Sequence, residues 1–240
     1  MKIKTSVILP AKNEEKIIAK MCLVLLALYD KYILEIIVVD DNSSDKTAFI
    51  IDKLRKSHPK IKLIKRNPPS GVGLALRDGL KQVSNKSSHI FTLDADFIQN
   101  VVDLEEFFLN INQYDGLIGS RYYKKHSLVN YPLFKRFFNR SFHLLVRLLL
   151  GIKNKDLTNN FKLYNKDLFL SLPLTANDFS INAETGLYPI LMGKKIGEIP
   201  VVWFARSRNM GISKFHLLSV APGYFHVLIQ SLVFRKEKNY

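Results

Sequence analysis

The sequence has little cysteine and no uninterrupted apolar segment of membrane-spanning length. Its single cysteine, Cys22, excludes an intrachain disulfide, and the apolar helical pattern around it favours a buried structural thiol in a reducing cytoplasm. The longest apolar stretches, 144–152 and 220–234, are interrupted by polar residues or proline and fall short of the roughly 18 to 20 apolar residues that span a bilayer. Residues 1–4 run directly into a predicted strand, which leaves no room for a signal peptide. We therefore expect a chain that does not cross a membrane.

Composition otherwise describes an ordinary globular protein with a strong excess of positive charge. Of its 240 residues, 47% are hydrophobic and 24% are charged, which argues against disorder and allows one large α/β domain. The formal net charge of +15 attracts polyanions such as nucleic acid, anionic lipid headgroups or phosphorylated substrates. Charge alone does not choose among these partners.

Strand and helix patterns alternate along the first half of the chain. The predicted strands are 5–10, 35–40, 61–65, 89–93, 116–119 and 198–204, and the predicted helices are 14–28, 46–57, one ending at 80, 103–110, 131–150 and 181–192. This alternation predicts an α/β fold with a mostly parallel sheet flanked by helices. Ligands bind beyond the carboxyl ends of the strands in such sheets, and polar clusters follow three of the predicted strands there.

The sharpest local signal is Asp94-Ala95-Asp96, directly after a buried strand. Two carboxylates at this spacing can converge on one divalent cation, and Mg²⁺ or Mn²⁺ with oxygen ligands and substrate phosphates is the expected chemistry. The alternative is a strand-end turn with solvated aspartates.

Three other segments carry weaker signals. Asp41, at a second strand end, can accept hydrogen bonds from a nucleobase or ribose, although Asn42 and Ser43 after it are also ordinary helix-capping residues. The glycines of 70–73 lack the spacing of a phosphate-binding fingerprint and favour a tight loop before a helix. The helix 131–150 interleaves cations with aromatic and aliphatic residues, which fits either an amphipathic core helix or a surface helix that meets anionic lipid.

Segments spread over nearly the whole chain, from Ser6 to about Lys214, resemble the family 2 glycosyltransferases of GT-A fold, and within them the dolichol-phosphate mannose synthase-like branch. The segments that carry this resemblance are VILPAKNEE at 7–15, VVDDNSSDKT at 38–47, DAD at 94–96, GSRY at 119–122, DLTNNFKLY at 156–164 and RNMGISK at 208–214. Each is weak alone, but their common order makes the match specific.

The resemblance implies roles for individual residues. Those implied to hold the nucleotide sugar are Pro10, Lys12, Glu14, Val39, Asp41, Asp94 and Ala95. Asp94 and Asp96 would bind the cation that bridges the donor pyrophosphate. Arg121, Arg208 and Lys214 would contact donor and acceptor phosphates, since phosphate leaving groups need cations as charge develops; the alternative for the last two is a solvated basic loop.

Some positions depart from the family pattern. Lys12 stands where an aromatic residue is common, so base stacking is not expected there. Ile98 occupies the place of a polar residue that often helps the metal, which leaves Asp94, Asp96, phosphates and water as ligands. Lys135 and Asn139 stand where an arginine and a serine are expected near the acceptor phosphate, and lysine lacks the bidentate geometry of arginine.

The resemblance implies an inverting transfer of a hexose, of mannose or glucose type, from a GDP- or UDP-sugar to a polyprenyl or dolichyl phosphate. An ionised lipid phosphate needs no strong general base, whereas a sugar hydroxyl does. The competing acceptor is therefore the hydroxyl of a growing surface glycan or glycolipid, with Glu184 as the candidate base. A capping or structural role for Glu184 at a helix start is the alternative.

The expected organisation is one glycosyltransferase domain over 1–214 and an amphipathic tail over 215–240. The tail's apolar face and terminal cations fit peripheral attachment to an anionic leaflet at the cytoplasmic face of a membrane. A nucleic-acid-binding protein would leave the acidic strand ends unexplained, and no recognised nucleic-acid module occurs. A nucleotidyltransferase would require a glycine-rich basic signature near the N-terminus, and 10–15 contains no glycine.

Overall fold

The computed structural model describes residues 3–123, 127–204 and 217–238 of an α/β protein. The strands are β1 Thr5–Ala11, β2 Ile33–Asp40, β3 Ile61–Lys65, β4 His89–Thr92, β5 Gly116–Ser120, β6 Leu128–Val129, β7 Lys162–Asn165, β8 Ile196–Pro200 and β9 Trp203–Phe204. The α-helices are α1 Ile18–Tyr29, α2 Thr47–Leu54, α3 Val72–Leu80, α4 Leu104–Asn110, α5 Leu133–Leu150, α6 Lys166–Leu170, α7 Ile181–Leu191 and α8 Leu217–Lys238, with 3₁₀ segments at Phe97–Asp103 and Ile111–Gln113.

The main sheet has seven strands in the order β3-β2-β1-β4-β7-β5-β8, which confirms the predicted mostly parallel α/β architecture. All neighbours pair in parallel except β7, which runs antiparallel to both β4 and β5. The sequence analysis did not predict β7, because its four residues include Lys162 and show no apolar run. The predicted strand 198–204 was also wrong in extent: it divides after Pro200 into β8 and β9, and β9 pairs with β6 outside the main sheet.

The sheet separates two apolar cores, one on each face. Along β1, Val7 and Leu9 face the first core with α1, while Ile8 faces the second with α3, as the alternation of side chains along a strand requires. Cys22 is fully buried in the first core, and burial raises its thiol pKa to about 12, so the predicted structural thiol is confirmed. Both cores leave the carboxyl edge of the parallel strands to the polar loops.

The C-terminal segment is described from Leu217 as α8, which packs against the second core. Its Val227 and Leu228 are buried there, and the ring of Phe234 stacks on Tyr188 of α7 with centroids 5.5 Å apart. Phe142 of α5 makes an edge-to-face contact with Tyr224 of α8, with ring centroids also 5.5 Å apart. Among the helices of the described ranges, α8 included, none combines the length and apolar character needed to span a bilayer.

Candidate active site

The loops that follow β1 and β2 are fastened to each other at the carboxyl edge of the sheet. The backbone N–H of Asn13 donates to Ser43 Oγ at 2.9 Å, and that of Glu14 donates to Thr47 Oγ1 at 2.8 Å. In return, Ser44 N donates to Asn13 Oδ1 at 2.8 Å. These bonds explain why α1 begins at Ile18 and not at Glu14 as predicted: the intervening backbone is held by the neighbouring loop.

Asp94 and Asp96 form the acidic turn that follows β4. Asp94 is partly buried, and its Oδ1 accepts a hydrogen bond from Asn160 Nδ2 at 3.0 Å. Burial is the largest influence on its carboxyl group and the negative charge of Asp96 the next; together they raise the pKa of Asp94 to about 7, although Asn160 and Arg121 act in the opposite direction. Glu14 adds further negative charge. The turn therefore concentrates more negative charge than its surroundings neutralise.

These residues fit a divalent cation whose coordination the ligand completes. Within residues 3–123, 127–204 and 217–238, no three histidine, cysteine or carboxylate side chains converge as a closed metal site. Asp94 and Asp96 could hold Mg²⁺ or Mn²⁺, and phosphate oxygens and water would supply the remaining positions. Ile98 packs against the first core, in agreement with its inability to ligate.

Asp41 organises the loop between β3 and α3. One of its carboxylate oxygens, Oδ1, accepts from Arg66 Nη1, and the other accepts from the backbone N–H of Gly71 at 2.8 Å. Ser70 Oγ donates to the Asp41 carbonyl at 3.1 Å. A carboxylate oxygen can accept two hydrogen bonds, so Asp41 retains acceptor capacity toward the cavity that it lines.

Arg121, at the end of β5, is paired with Asp156. Nε and Nη2 of the guanidinium donate to the two carboxylate oxygens at 2.6 and 2.7 Å, and both residues are buried. Burial favours a higher pKa for Asp156, but the charge and hydrogen bonds of Arg121 outweigh it, so the pKa of Asp156 lies below its usual value. Trp203 covers the guanidinium, with its ring centroid 4.7 Å from Cζ.

A cavity of about 720 Å³ connects these groups to two apolar helices. The sequence-predicted residues that line it are Pro10, Lys12, Glu14, Asp41, Asp94, Ala95, Asp96, Arg121, Lys135 and Asn139. At the end away from the sheet, its walls are Phe138 and Leu145 of α5 and Phe225 and Leu228 of α8. One end of the cavity is thus acidic and polar, and the other is apolar.

Lys135 and Asn139 are polar residues of α5 that also line the cavity. Partial burial lowers the pKa of Lys135. The side-chain amide of Asn139 donates from Nδ2 to Thr158 Oγ1 at 2.7 Å, which couples α5 to the segment before β7. Lys135 is therefore the cation that α5 presents to the cavity wall.

Two predicted site residues lie elsewhere, and two are not described. The side chain of Val39 is fully buried in the second core, so only its backbone could contact a nucleotide. Glu184 is 1% exposed, and its carboxylate accepts hydrogen bonds from the backbone N–H groups of Thr175 and Ala176 at 2.9 and 3.1 Å. Its carboxylate therefore joins α7 to the segment 175–176, which is the structural role given as the alternative, and Glu184 is not among the residues that line the cavity. Both observations argue against Glu184 as a base. Arg208 and Lys214 lie outside the described residues.

The cavity also includes residues that the sequence analysis did not select. Asn160, Asn182, Trp203 and Tyr224 all line it. Asn182, Trp203 and Tyr224 lie outside the segments that carry the family resemblance. Only Asn160 had a signal, because it lies within the segment 156–164 that supports the family resemblance.

A mostly parallel sheet with paired aspartates at its carboxyl edge and a cavity beyond them is the architecture of a GT-A glycosyltransferase. The chain belongs to glycosyl transferase family 2: the model of that family matches residues 6–172. It is therefore a glycosyltransferase, as the sequence analysis predicted.

Characterised relatives extend the likeness across most of the chain. The undecaprenyl-phosphate mannosyltransferase of Micrococcus luteus is 25% identical over 184 residues, which cover 75% of each protein. The polyprenol monophosphomannose synthase of Mycolicibacterium smegmatis is 25% identical over 198 residues, covering 80% of this chain and 74% of that protein. The fold matches that of glucosyl-3-phosphoglycerate synthase from Mycobacterium tuberculosis, solved with Mn²⁺, UDP and phosphoglyceric acid, with a TM-score of 0.67 and 18% identity over 97% of this chain and 78% of that one.

Proposed function

We propose that this glycosyltransferase moves a hexose from a nucleotide diphosphate sugar to a polyprenyl phosphate. The observation that carries the proposal is the two-ended cavity: an acidic, polar end beside the sheet and an apolar end between α5 and α8. A lipid phosphate has a matching division between a charged head and a hydrocarbon chain. The names of the two mannosyltransferase relatives support the same acceptor.

The distribution of titratable groups favours a phosphate acceptor over a sugar hydroxyl. Among the described residues that line the cavity, the carboxylates are Glu14, Asp41, Asp94 and Asp96, all at the nucleotide end, and there is no histidine. A hydroxyl acceptor would need a general base near its oxygen, whereas a phosphate is already ionised at neutral pH. Glu184 was the candidate base for a glycan acceptor, and the bonds that its carboxylate accepts from Thr175 and Ala176 further favour a phosphate acceptor.

The reaction is then a displacement at the anomeric carbon. An oxygen of the acceptor phosphate forms a bond to that carbon as the bond to the donor's diphosphate breaks, with inversion, and the nucleoside diphosphate leaves with the electron pair. Asp41 and the fastened loops after β1 and β2 orient the nucleotide, while Lys135 attracts the acceptor phosphate. A divalent cation held by Asp94 and Asp96 would supply charge neutralisation at the diphosphate. The fold relative solved with Mg²⁺ and UDP is in keeping with this chemistry.

The surface of α5 supports a position at an anionic membrane. Its outward residues are called the apolar α5 face below and are between 45% and 79% exposed: Leu133, Phe134, Phe137, Leu144, Leu148 and Leu149. At 100° per residue they share one side of the helix, and Arg136, Arg140 and Arg147 follow one edge of it. On the other edge, Phe138 and Leu145 line the cavity and connect it to the apolar α5 face. A lipid tail could therefore extend from this face into the cavity. We propose attachment at the cytoplasmic face, in line with the single buried thiol.

The test is transfer from a nucleotide sugar to lipid acceptors of defined structure. The purified chain, with Mg²⁺ or Mn²⁺, is given GDP- and UDP-hexoses and either a polyprenyl phosphate, the matching polyprenol without phosphate, or an oligosaccharide. We expect product only with the polyprenyl phosphate, in the inverted anomeric configuration. Product formed only with the oligosaccharide would show that the acceptor is a glycan hydroxyl and not a polyprenyl phosphate.

A further inference from the structure

Asn182 occupies a fixed place in the first turn of α7, beside the polar end of the cavity. Asn182 is 5% exposed and lines the cavity. The carbonyl oxygen of Asn182 accepts from Lys162 Nζ at 2.6 Å, and its backbone N–H donates to the Phe179 carbonyl at 3.1 Å. Tyr224 of α8 holds that same Phe179 carbonyl through its hydroxyl at 3.0 Å. The backbone at Asn182 is therefore held from β7 and from α8.

The side chain at this fixed position is unsatisfied within the described part of the protein. Oδ1 of Asn182 is buried and has no hydrogen-bond partner there. Buried side-chain amides are almost always hydrogen-bonded, because an unpaired polar group in a protein interior costs about 1 to 3 kcal/mol. Because the residue forms part of the cavity wall, a group that enters the cavity is a candidate for the missing partner.

We infer that the Asn182 carboxamide hydrogen-bonds a hydroxyl group of the transferred hexose and helps to select the sugar. This inference rests on the proposed function. A carboxamide both donates and accepts, which matches a sugar hydroxyl better than it matches an apolar chain. The unpaired oxygen is an acceptor, so it needs a donor, and an ionised acceptor phosphate has none to give.

The position of Asn182 relative to the acidic turn supports the sugar as the ligand. Asn160 binds Asp94 through Nδ2, and Lys162, two residues further along the same segment, binds the Asn182 carbonyl. Asn182 is thereby tied to the wall that carries the predicted diphosphate-binding carboxylates. The hexose is joined directly to that diphosphate, so the proposed function puts its hydroxyls on the side of the cavity that Asn182 lines.

The experiment compares sugar discrimination in the full-length protein and in Asn182→Ala. Binding of the best nucleotide hexose, its monodeoxy analogues and the nucleoside diphosphate alone is measured by titration calorimetry with the metal present. We expect wild type to bind the parent sugar about tenfold more tightly than one of the deoxy analogues, the effect of about one hydrogen bond. Asn182→Ala should bind the parent and that analogue equally, with unchanged affinity for the nucleoside diphosphate.

Controls distinguish a failure of this inference from misfolding of the variant and from a failure of the proposed function. Asn182→Ser repeats the test, and Asn110→Ala changes an amide that bonds within α4, so it should keep wild-type discrimination. If wild type binds no nucleotide hexose at all, the proposed function fails. If wild type binds and Asn182→Ala retains the same preference among the analogues, the proposed function stands and the role of Asn182 is overturned. If Asn182→Ala raises the KM for polyprenyl phosphate and leaves the sugar preference unchanged, the role in sugar selection is also overturned, because Asn182 then contacts the acceptor.

Discussion

Arg121 and Asp156 form a two-point ion pair in which Nε donates to Oδ2 at 2.6 Å and Nη2 donates to Oδ1 at 2.7 Å. The family resemblance implied that Arg121 contacts substrate phosphates. In the structure its remaining nitrogen, Nη1, lies 3.4 Å from Tyr131 Oη at the cavity wall. Arg121 therefore has one edge of its guanidinium engaged by Asp156, and only Nη1 is directed elsewhere.

Replacing Asp156 with asparagine should strongly destabilise the protein, because Arg121 would keep its buried charge without a counter-ion. The expected loss is about 3 to 5 kcal/mol in the free energy of unfolding, measured in urea. Asp52→Asn breaks the surface pair with Arg55 and should change stability by less than about 1 kcal/mol. Equal effects of the two substitutions would contradict the buried pair.

The same pair predicts a direction for acid unfolding. The pKa of Asp156 is lower in the folded than in the unfolded state, so its stabilisation is fully present above the ordinary aspartate pKa of about 4 and is lost as the pH falls below it. The wild type should thus lose stability between about pH 4 and pH 2 more steeply than Asp156→Asn. Parallel curves for the two proteins over that range would exclude this contribution.

Asp94→Asn should separate ligand binding from stability. Burial and the charge of Asp96 disfavour the ionised form of Asp94, so a neutral amide in its place should leave the free energy of unfolding unchanged or higher in metal-free buffer. The same change should abolish the metal-dependent shift in Tm caused by nucleoside diphosphate. Calorimetric melting with and without Mn²⁺ checks both. A metal-dependent shift that survives in Asp94→Asn would argue against Asp94 as a ligand.

Lys162 should make the free energy of unfolding of the protein increase with pH in the neutral to alkaline range. Burial lowers its pKa well below the ordinary lysine value, and Nζ donates to the Asn182 carbonyl at 2.6 Å and to Thr185 Oγ1 at 2.7 Å. Because the folded state binds the proton less well than the unfolded state, stability is lost as the pH falls below about 10. The free energy of unfolding should therefore rise from about pH 7 to pH 10 by up to about 1.4 kcal/mol per unit more in wild type than in Lys162→Met.

The matched control for this measurement is Lys56→Met, which removes an exposed lysine next to α2. Its pH dependence should parallel that of the wild type. If Lys162→Met also parallels the wild type, Lys162 carries its proton in the folded state.

The double substitution Phe137→Ser and Leu148→Ser should weaken binding to anionic liposomes. These side chains are 67% and 70% exposed on the apolar α5 face. Their removal should therefore change the stability of the fold little and weaken membrane binding strongly. Flotation with vesicles containing anionic lipid measures the bound fraction, which should also fall with salt. Phe49→Ser, 68% exposed on α2, should float as the wild type does. Equal loss in both variants, or no flotation of the wild type, would contradict a docking role for α5.

Apolar periodicity and strand-end chemistry were sufficient to predict the parallel strands, most helices and the acidic turn. Asp41 and Asp94 were predictable because each follows a strongly apolar strand, which identifies the edge of the sheet to which they belong. β7 was not predictable in this way: the Lys162 side chain is fully buried within the sheet, and a lysine in a sequence normally indicates a solvent-exposed position.

Glu184 and Asn182 show the limit of reading side chains from type alone. Both are polar residues in the first turn of a predicted helix, and the carboxylate was the better candidate for chemistry. In the structure, the N–H groups of a segment distant from the motifs, 175–176, donate to Glu184, whereas Oδ1 of Asn182 has no hydrogen-bond partner among the described residues. Whether a polar side chain is used in hydrogen bonds within the protein depends on the path of a neighbouring loop. The local sequence pattern around that side chain does not specify this path.

The antiparallel strand β7 has a consequence for the order in which the protein can be built. It is the only described strand that joins the group β3-β2-β1-β4 to the pair β5-β8, since β4 and β5 are each bonded to β7 and not to one another. During synthesis, β5 leaves the ribosome well before both of its neighbours, β7 and β8. The early strands can assemble on their own, whereas β5 must wait with both edges open. That interval is when the nascent chain is most exposed to mispairing and to chaperones.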